Sequence, residues 1–196
     1  MKIGLITFHE TTNFGSFLQT YSLYTAINNL GYDCEVVDYK CESIRKRELP
    51  KTKPESYSLK NIVLYFILER KLQRKFASFQ NTVHKYMKLS KPYYKYNIAE
   101  ADKEYDAFVV GSDMLWNLSI TDHDMVYFLD FVKDKRKKYA FSTSIGNRWN
   151  DKEIVAVCPF LQDFRRISLR EKDSVNWLLG FLEKKIESVC DPTMLL

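Results

Sequence analysis

Three polar turns in this 196-residue sequence carry side chains able to bind a ligand or move a proton. Gly111-Ser112-Asp113 follows an apolar run, so a carboxylate leaves what reads as a buried strand. There it is either a helix N-cap or a ligand-binding and base group. Trp116 and Asn117 add a flat apolar surface and an amide. That pair suits a sugar ring; the alternative is that Trp116 is core. In Asn13-Phe14-Gly15-Ser16 the glycine allows close backbone approach, and free N–H groups at a helix start attract anions. An ordinary turn capped by Asn13 or Ser16 is equally consistent. Ser142-Thr143-Ser144-Ile145-Gly146 is a hydroxyl-rich turn with the same two readings, Ser144 among its candidate contacts. Arg170-Glu171 ends a further apolar run, where an arginine clamps phosphate or carboxylate or else forms a structural ion pair. His9 ends the first apolar run, as an acid or as a plain loop residue, while His84 and His123 have no supporting pattern. No Ser/His/Asp order, metal-ligand spacing, G-x-G-x-x-G or P-loop is present.

These turns act together only if the fold brings them to one edge. Residues 2–8 are apolar without helical period and predict a buried strand. Leu18, Tyr21, Leu23, Tyr24, Ile27 and Leu30 recur at helical spacing up to Gly31, a C-terminal stop. Residues 34–39 predict a second strand. Strand, helix and strand in such a short span form a βαβ unit, which implies parallel pairing. Residues 40–57 read as a charged, proline-punctuated loop, 59–83 as a long helix, and 86–89 as a short strand. Strands are predicted over 105–111, 138–142, 166–169 and 188–190, with helices over 151–164 and 171–182. Pro159 must kink the first of these helices or mark a break in it. The expected fold is α/β, a doubly wound, mainly parallel, Rossmann-like sheet with helices on both faces. In such sheets ligands bind beyond the carboxyl ends of the strands.

Composition narrows the classes. Apolar residues make up 45% and charged residues 28%, as in ordinary globular proteins, which excludes collagen-like and disordered readings. The net charge of +5 is concentrated in short runs, Arg45-Lys46-Arg47, Lys51, Lys53 and Lys133 to Lys138. They read as solvated faces, or as contacts for a phosphorylated substrate or a membrane surface. No nucleic-acid module accompanies them, so nucleic acid is not an expected partner. Cys34, Cys41, Cys158 and Cys190 form no C-x-x-C pair and read as reduced, mostly buried thiols of a cytosolic protein. The start is too short for a signal peptide, and the apolar stretch 62–68 falls short of a bilayer span.

Several of these segments in order resemble the polysaccharide pyruvyl transferase family. They are Lys2 to His9 with Asn13-Phe14-Gly15-Ser16-Phe17-Leu18-Gln19, then Tyr105 to Asn117, and Tyr127-Phe128-Leu129-Asp130-Phe131. Lys138 to Gly146, Ser168-Leu169-Arg170-Glu171 and Asp191-Pro192-Thr193-Met194-Leu195-Leu196 continue the series. The family usually carries Ala at the position of Ser16 and Gln-Val at Met114-Leu115. The resemblance implies transfer of a pyruvyl group from phosphoenolpyruvate to a sugar of a surface or exopolysaccharide, such as a capsule, giving a ketal and phosphate. For that reaction Arg170, at a strand end, is the candidate for anion binding and Asp113 the candidate for acceptor binding or base work. Asn13, Gly15, Ser112, Trp116, Asn117 and Ser144 are placed around the substrates. No metal or organic cofactor is demanded, because the donor carries its own activation. The implied partners are phosphoenolpyruvate and a saccharide acceptor, lipid-linked or free. The implied location is cytoplasmic, with peripheral attachment to the inner face of the membrane left open.

The family is about twice this long and resembles two-domain GT-B glycosyltransferases. Residues 1–190 are therefore expected to form an N-terminal Rossmann-like domain and 191–196 the start of a connection to a second domain. By the resemblance, that second half supplies further Arg and His groups for the donor. Two other readings stay open: half of a glycosyltransferase using a nucleotide sugar, and a saccharide-binding module without turnover.

Overall fold

A computed structural model describes residues 1–51 and 58–196, the side chains of residues 60 and 64 aside. Part of the loop predicted at 40–57, including Lys53, therefore lies outside the described residues. Six strands, β1 (Lys2–Ile6), β2 (Asp33–Val36), β3 (Ala107–Val110), β4 (Lys138–Thr143), β5 (Arg166–Leu169) and β6 (Ile186–Ser188), form one sheet in the order β2-β1-β3-β4-β5-β6. Every pairing is parallel. The helices are α1 (Phe14–Asn29), α2 (Glu42–Glu48), α3 (Leu59–Tyr86), α4 (Leu118–Thr121), α5 (Asp151–Asp163) and α6 (Lys172–Leu178), with short 3-10 turns between.

Strand alternation sorts the core into two layers. Ile3 and Leu5 pack with Leu23 and Ile27 of α1, Val36, and Val83 of α3. Ile6, Phe108, Val110, Ala140 and Ile167 join the larger, aromatic layer with Val157 and Leu161 of α5 and Leu178 of α6. Successive residues of a strand face opposite sides, so one sheet feeds both layers. A continuous apolar strand is what burial on both faces requires. This is the doubly wound α/β fold expected from the sequence.

Several boundaries differ from expectation, each for a local reason. β2 ends at Val36, after which Tyr39 and Leu89 make single bridges, to Tyr93 and Val36. The strand expected at 86–89 is thus the end of α3 plus one bridge. α2 occupies part of the expected loop, anchored by buried Ile44 alone. α5 runs through Pro159 without a break. The carbonyl deprived of its donor belongs to Val155, which is 74% exposed and open to water. α6 stops at Leu178, shortly before Gly180, and β6 starts at Ile186, with Val189 still donating to the Leu169 carbonyl at 2.9 Å. Lys138 is not a solvated member of its charge run: it is buried at the start of β4, with Nζ 3.5 Å from Asp163. All four cysteines are free, but only Cys34 and Cys41 are buried; Cys158 is partly exposed and Cys190 exposed. Among the described residues no helix is long and apolar enough to cross a membrane.

Candidate active site

The turns that leave β1, β3, β4, β5 and β6 meet at the carboxyl edge of the sheet. Gly111 follows β3 at φ 157°, where a Cβ would come within 2.0 Å of the Phe141 carbonyl oxygen. No side chain fits there, so the two strands lie as close as their backbones allow. Ser112 is fully buried. Its N–H donates to Gln19 Oε1 at 2.7 Å, and its hydroxyl donates to the Ser142 carbonyl at 2.9 Å, with Asp191 Oδ2 at 3.3 Å as a second acceptor.

Asp113 follows in the left-handed region at φ 61°. Its Oδ2 accepts the Ser16 hydroxyl at 2.5 Å, and its Oδ1 accepts its neighbour's N–H, on Met114, at 2.8 Å. Its carbonyl accepts the Ser144 N–H at 2.9 Å. The carboxylate is therefore held by donors from two loops and remains half-buried rather than sealed in. It caps no helix start, which leaves the ligand-or-base alternative of the sequence. The Ser16 hydroxyl that orients it stands where the resemblance leads one to expect Ala.

Arg170, at the end of β5, is 33% exposed at its side chain. Nε donates to Glu171 Oε1 and Nη1 to Asp191 Oδ2, both at 3.0 Å. Its other guanidinium N–H groups make no such bond among the described residues, so the fork keeps donors for an anion. Asp191 follows β6 and also accepts the Thr193 N–H at 2.9 Å and its hydroxyl at 2.8 Å. Burial works to raise the Asp191 carboxyl, but these bonds and the Arg170 charge outweigh it and hold it below the usual range. Glu171 Oε2 and Ser142 Oγ, both buried at this edge, have no hydrogen-bond partner among the described residues.

The remaining candidates are supports. Asn13 is the N-cap of α1, its Oδ1 accepting from Gly15 at 2.7 Å and Ser16 at 3.4 Å. That is the ordinary-turn alternative for this loop, and Gly15 sits close enough that a Cβ would lie 3.1 Å from the same oxygen. Asn117 is the N-cap of α4, and its amide fills the space a side chain at Gly146 would need. Ser144 is buried, its hydroxyl accepting the Gly146 N–H at 3.2 Å. Trp116 is not a sugar platform. It is 0% exposed, stacked on Phe128 with centroids 5.4 Å apart, and its indole N–H donates to the Tyr127 carbonyl at 2.8 Å. A buried tryptophan with its polar handle satisfied is core. His9 is also buried, with Nε2 2.8 Å from Asp38, inside an ionic cluster with Lys40 and Glu10 beyond β1 and β2. Its ring is spent on that cluster and not on the Asp113 turn.

Three participants carried no signal as site residues in the sequence. Gln19 sits inside α1 and looks like a surface position there, yet it is 2% exposed and joins Thr7 after β1, α1 and the β3 turn. Asp191 reads as a turn former before proline. Ser16 reads as a cap. An open cavity of about 770 Å³ lies on the sheet face between α1 and β4–β6, away from these groups. Its lining is mainly apolar, with Ile27, Val109, Phe141 and Val189, and it offers no convergent polar constellation for chemistry.

A parallel α/β sheet whose strand-end turns gather a carboxylate and an arginine beside each other's loops has the architecture of a substrate-binding enzyme domain. The family model for polysaccharide pyruvyl transferase matches residues 13–196, nearly the whole chain, and the protein belongs to that family. It is thus placed among transferases acting on polysaccharides. No curated protein and no solved structure matches it.

Proposed function

We propose that the protein transfers the pyruvyl group of phosphoenolpyruvate to two hydroxyls of a sugar in a surface polysaccharide, forming a pyruvate ketal and releasing phosphate. The observation that carries this reading is Arg170, a guanidinium with free donors at a strand end, tied through Asp191 to Ser112, the residue before the oriented carboxylate of Asp113. Phosphoenolpyruvate presents a carboxylate and a phosphate, and a guanidinium fork matches either in bidentate fashion. Asp191 and Glu171 fix the fork from one side, so its direction is set before the donor arrives.

The reaction balances without redox chemistry. A proton is delivered to the donor's methylene carbon, which becomes a methyl group and leaves positive charge at the ester carbon. A sugar hydroxyl forms the first C–O bond there and surrenders its proton. The bond to phosphate then breaks, phosphate leaves with the electron pair, and a second hydroxyl closes the ketal. Of the two hydroxyl protons, one is accounted for by the methyl group and one by phosphate. Asp113 takes the proton of the attacking hydroxyl, and Ser16 and Met114 hold its oxygens while it does so. Nothing in this sequence of bonds calls for a metal or an organic cofactor. Lipid-linked saccharides are the acceptors we favour, which would bring the protein to the cytoplasmic face of a membrane.

The test is phosphate release from phosphoenolpyruvate with and without candidate lipid-linked saccharides. Release that requires both, and that falls about 10²–10⁴-fold in Asp113→Asn while the protein still melts cooperatively, is expected. Release independent of saccharide, or an undiminished Asp113→Asn rate, overturns the reading. Loss of nucleoside diphosphate from a nucleotide sugar would place the protein among glycosyltransferases instead.

A further inference from the structure

A second cavity, of about 370 Å³, opens beyond the carboxyl end of β2. It is lined by Tyr39, Glu42, Tyr94, Tyr96, Asp122 and Asp124, among others. The rings of Tyr94 and Tyr96 are stacked, with centroids 5.5 Å apart and planes at 4°. Tyr96 is 84% exposed, so its ring is open to solvent although it lines a concave site. The Tyr39 hydroxyl donates to Asp124 Oδ2 and Lys95 Nζ pairs with Oδ1, each at 2.5 Å. Glu42 and Asp122 are exposed carboxylates at the same cavity. α4, which begins at Leu118 shortly after Asp113, leads directly into Asp122. The excursion of the chain between β3 and β4 thus supplies both Asp113 and one wall of the cavity, Thr121 to Asp124, while residues 39–43 and 94–96 supply the rest.

Its chemistry selects a class of ligand. An accessible aromatic face suits the C–H face of a pyranose, and carboxylates accept its hydroxyl protons. An anion finds little here. Lys40 is tied to Asp38 at 2.8 Å and Glu10 at 2.9 Å, and Lys95 to Asp124. Glu42 is itself paired with Lys46 at 3.6 Å, and exposed Asp122 adds a carboxylate that repels phosphate. The volume lies at the small end of ligand sites, roughly 300–1,000 Å³, where a single sugar unit fits.

We propose that this cavity is a saccharide subsite: it holds a neutral pyranose unit of the acceptor on Tyr96. The subsite rests on the proposed transfer to a sugar for its role, but the binding itself does not.

The experiment uses the full chain labelled with 3-fluorotyrosine and followed by fluorine NMR, with the Tyr94 and Tyr96 signals assigned from Tyr94→Phe and Tyr96→Phe. The probes are methyl β-D-glucopyranoside, methyl β-D-galactopyranoside and methyl α-D-mannopyranoside, with inorganic phosphate as the control. At least one glycoside should move both signals saturably at millimolar concentration, and phosphate should move neither. Tyr96→Ala should weaken that binding about tenfold or more, read at Tyr94. Because Tyr96 is exposed, the Tyr96→Ala protein is expected to keep its cooperative melt. Signals unmoved by all three glycosides, shifts with phosphate alone, or wild-type affinity in Tyr96→Ala each overturn the subsite. Saccharide binding that persists in a protein unable to release phosphate from phosphoenolpyruvate would remove the proposed reaction and leave the subsite standing.

Discussion

Replacing Gln19 with leucine, nearly the same in volume, tests whether the edge of the sheet is held as described. Its Nε2 donates to Thr7 Oγ1 at 2.9 Å, the Ser16 carbonyl at 2.9 Å and Thr20 Oγ1 at 2.8 Å, while Oε1 accepts the Ser112 N–H at 2.7 Å. Three of these losses are partly repaired. The Thr7 and Thr20 hydroxyls already lie 3.2 Å apart and can satisfy one another, and the Ser16 carbonyl keeps the Thr20 hydroxyl at 2.7 Å. The Ser112 N–H is not repaired, because Ser112 is fully buried. An orphaned buried donor costs about 1–3 kcal/mol, and the weakened bonds add roughly 1 more, for about 2–4 kcal/mol in total. In a chain of this length that lowers Tm by roughly 4–16 °C. Because Ser112 carries Asp113 behind it, phosphate release should fall more than stability alone explains, measured well below the new Tm. A melt within a degree of wild type with unchanged turnover would refute the claim that Gln19 anchors the turn.

Gly111→Ala should fail to fold or melt far below wild type, since its Cβ would meet the Phe141 carbonyl oxygen; differential scanning calorimetry decides. Trp116→Ala should cost about 3–5 kcal/mol in urea unfolding as a core deletion, and Trp116→Phe should leave any saccharide affinity unchanged. On acidification, stability should fall below about pH 4, near the ordinary Asp value. Asp38 and Asp191 are both held below that value in the folded state: burial would raise each, but His9 and Lys40 outweigh it at Asp38, and Thr193 and Arg170 at Asp191. Their contribution is present above the unfolded value and lost as pH falls through the folded ones, so Asp38→Asn and Asp191→Asn should each flatten the Tm–pH curve there. The Cys34 thiol is pushed up to about 12 by burial and then by Asp33 and Glu35, so a thiol reagent at pH 8 should label exposed Cys190 and spare Cys34 until unfolding.

The parallel sheet was legible because its strands are short apolar runs bounded by polar turns, and burial on both faces leaves no alternation to misread. Their ends were less so. Val37 and Tyr39 are as apolar as Val36, and only the meeting with Leu89 and Tyr93 decides where regular pairing stops. α2 was hidden because one buried residue, Ile44, anchors a charged segment that looks like loop. At the active edge, Asp113 and Arg170 were visible as polar residues where apolar runs stop. Gln19 and Asp191 were not, because their partners are distant in sequence: Ser112 for the first, Ser112 and Arg170 for the second. Trp116 shows the converse failure. An aromatic beside a polar turn suits a sugar or a core equally well, and only the indole bond to Tyr127 and the stack on Phe128 separate the two.

On the proposed function, one edge of the sheet gathers a donor-binding arginine, Arg170, and an acceptor-binding carboxylate, Asp113. That arrangement is tested most directly by calorimetric titration of phosphoenolpyruvate into the wild-type protein, Arg170→Ala and Arg170→Lys. Measurable wild-type affinity is expected, with a loss of about tenfold or more in Arg170→Ala and incomplete recovery in Arg170→Lys, whose ammonium keeps the charge but not the fork. Equal affinity in all three, with each protein melting cooperatively, would contradict it.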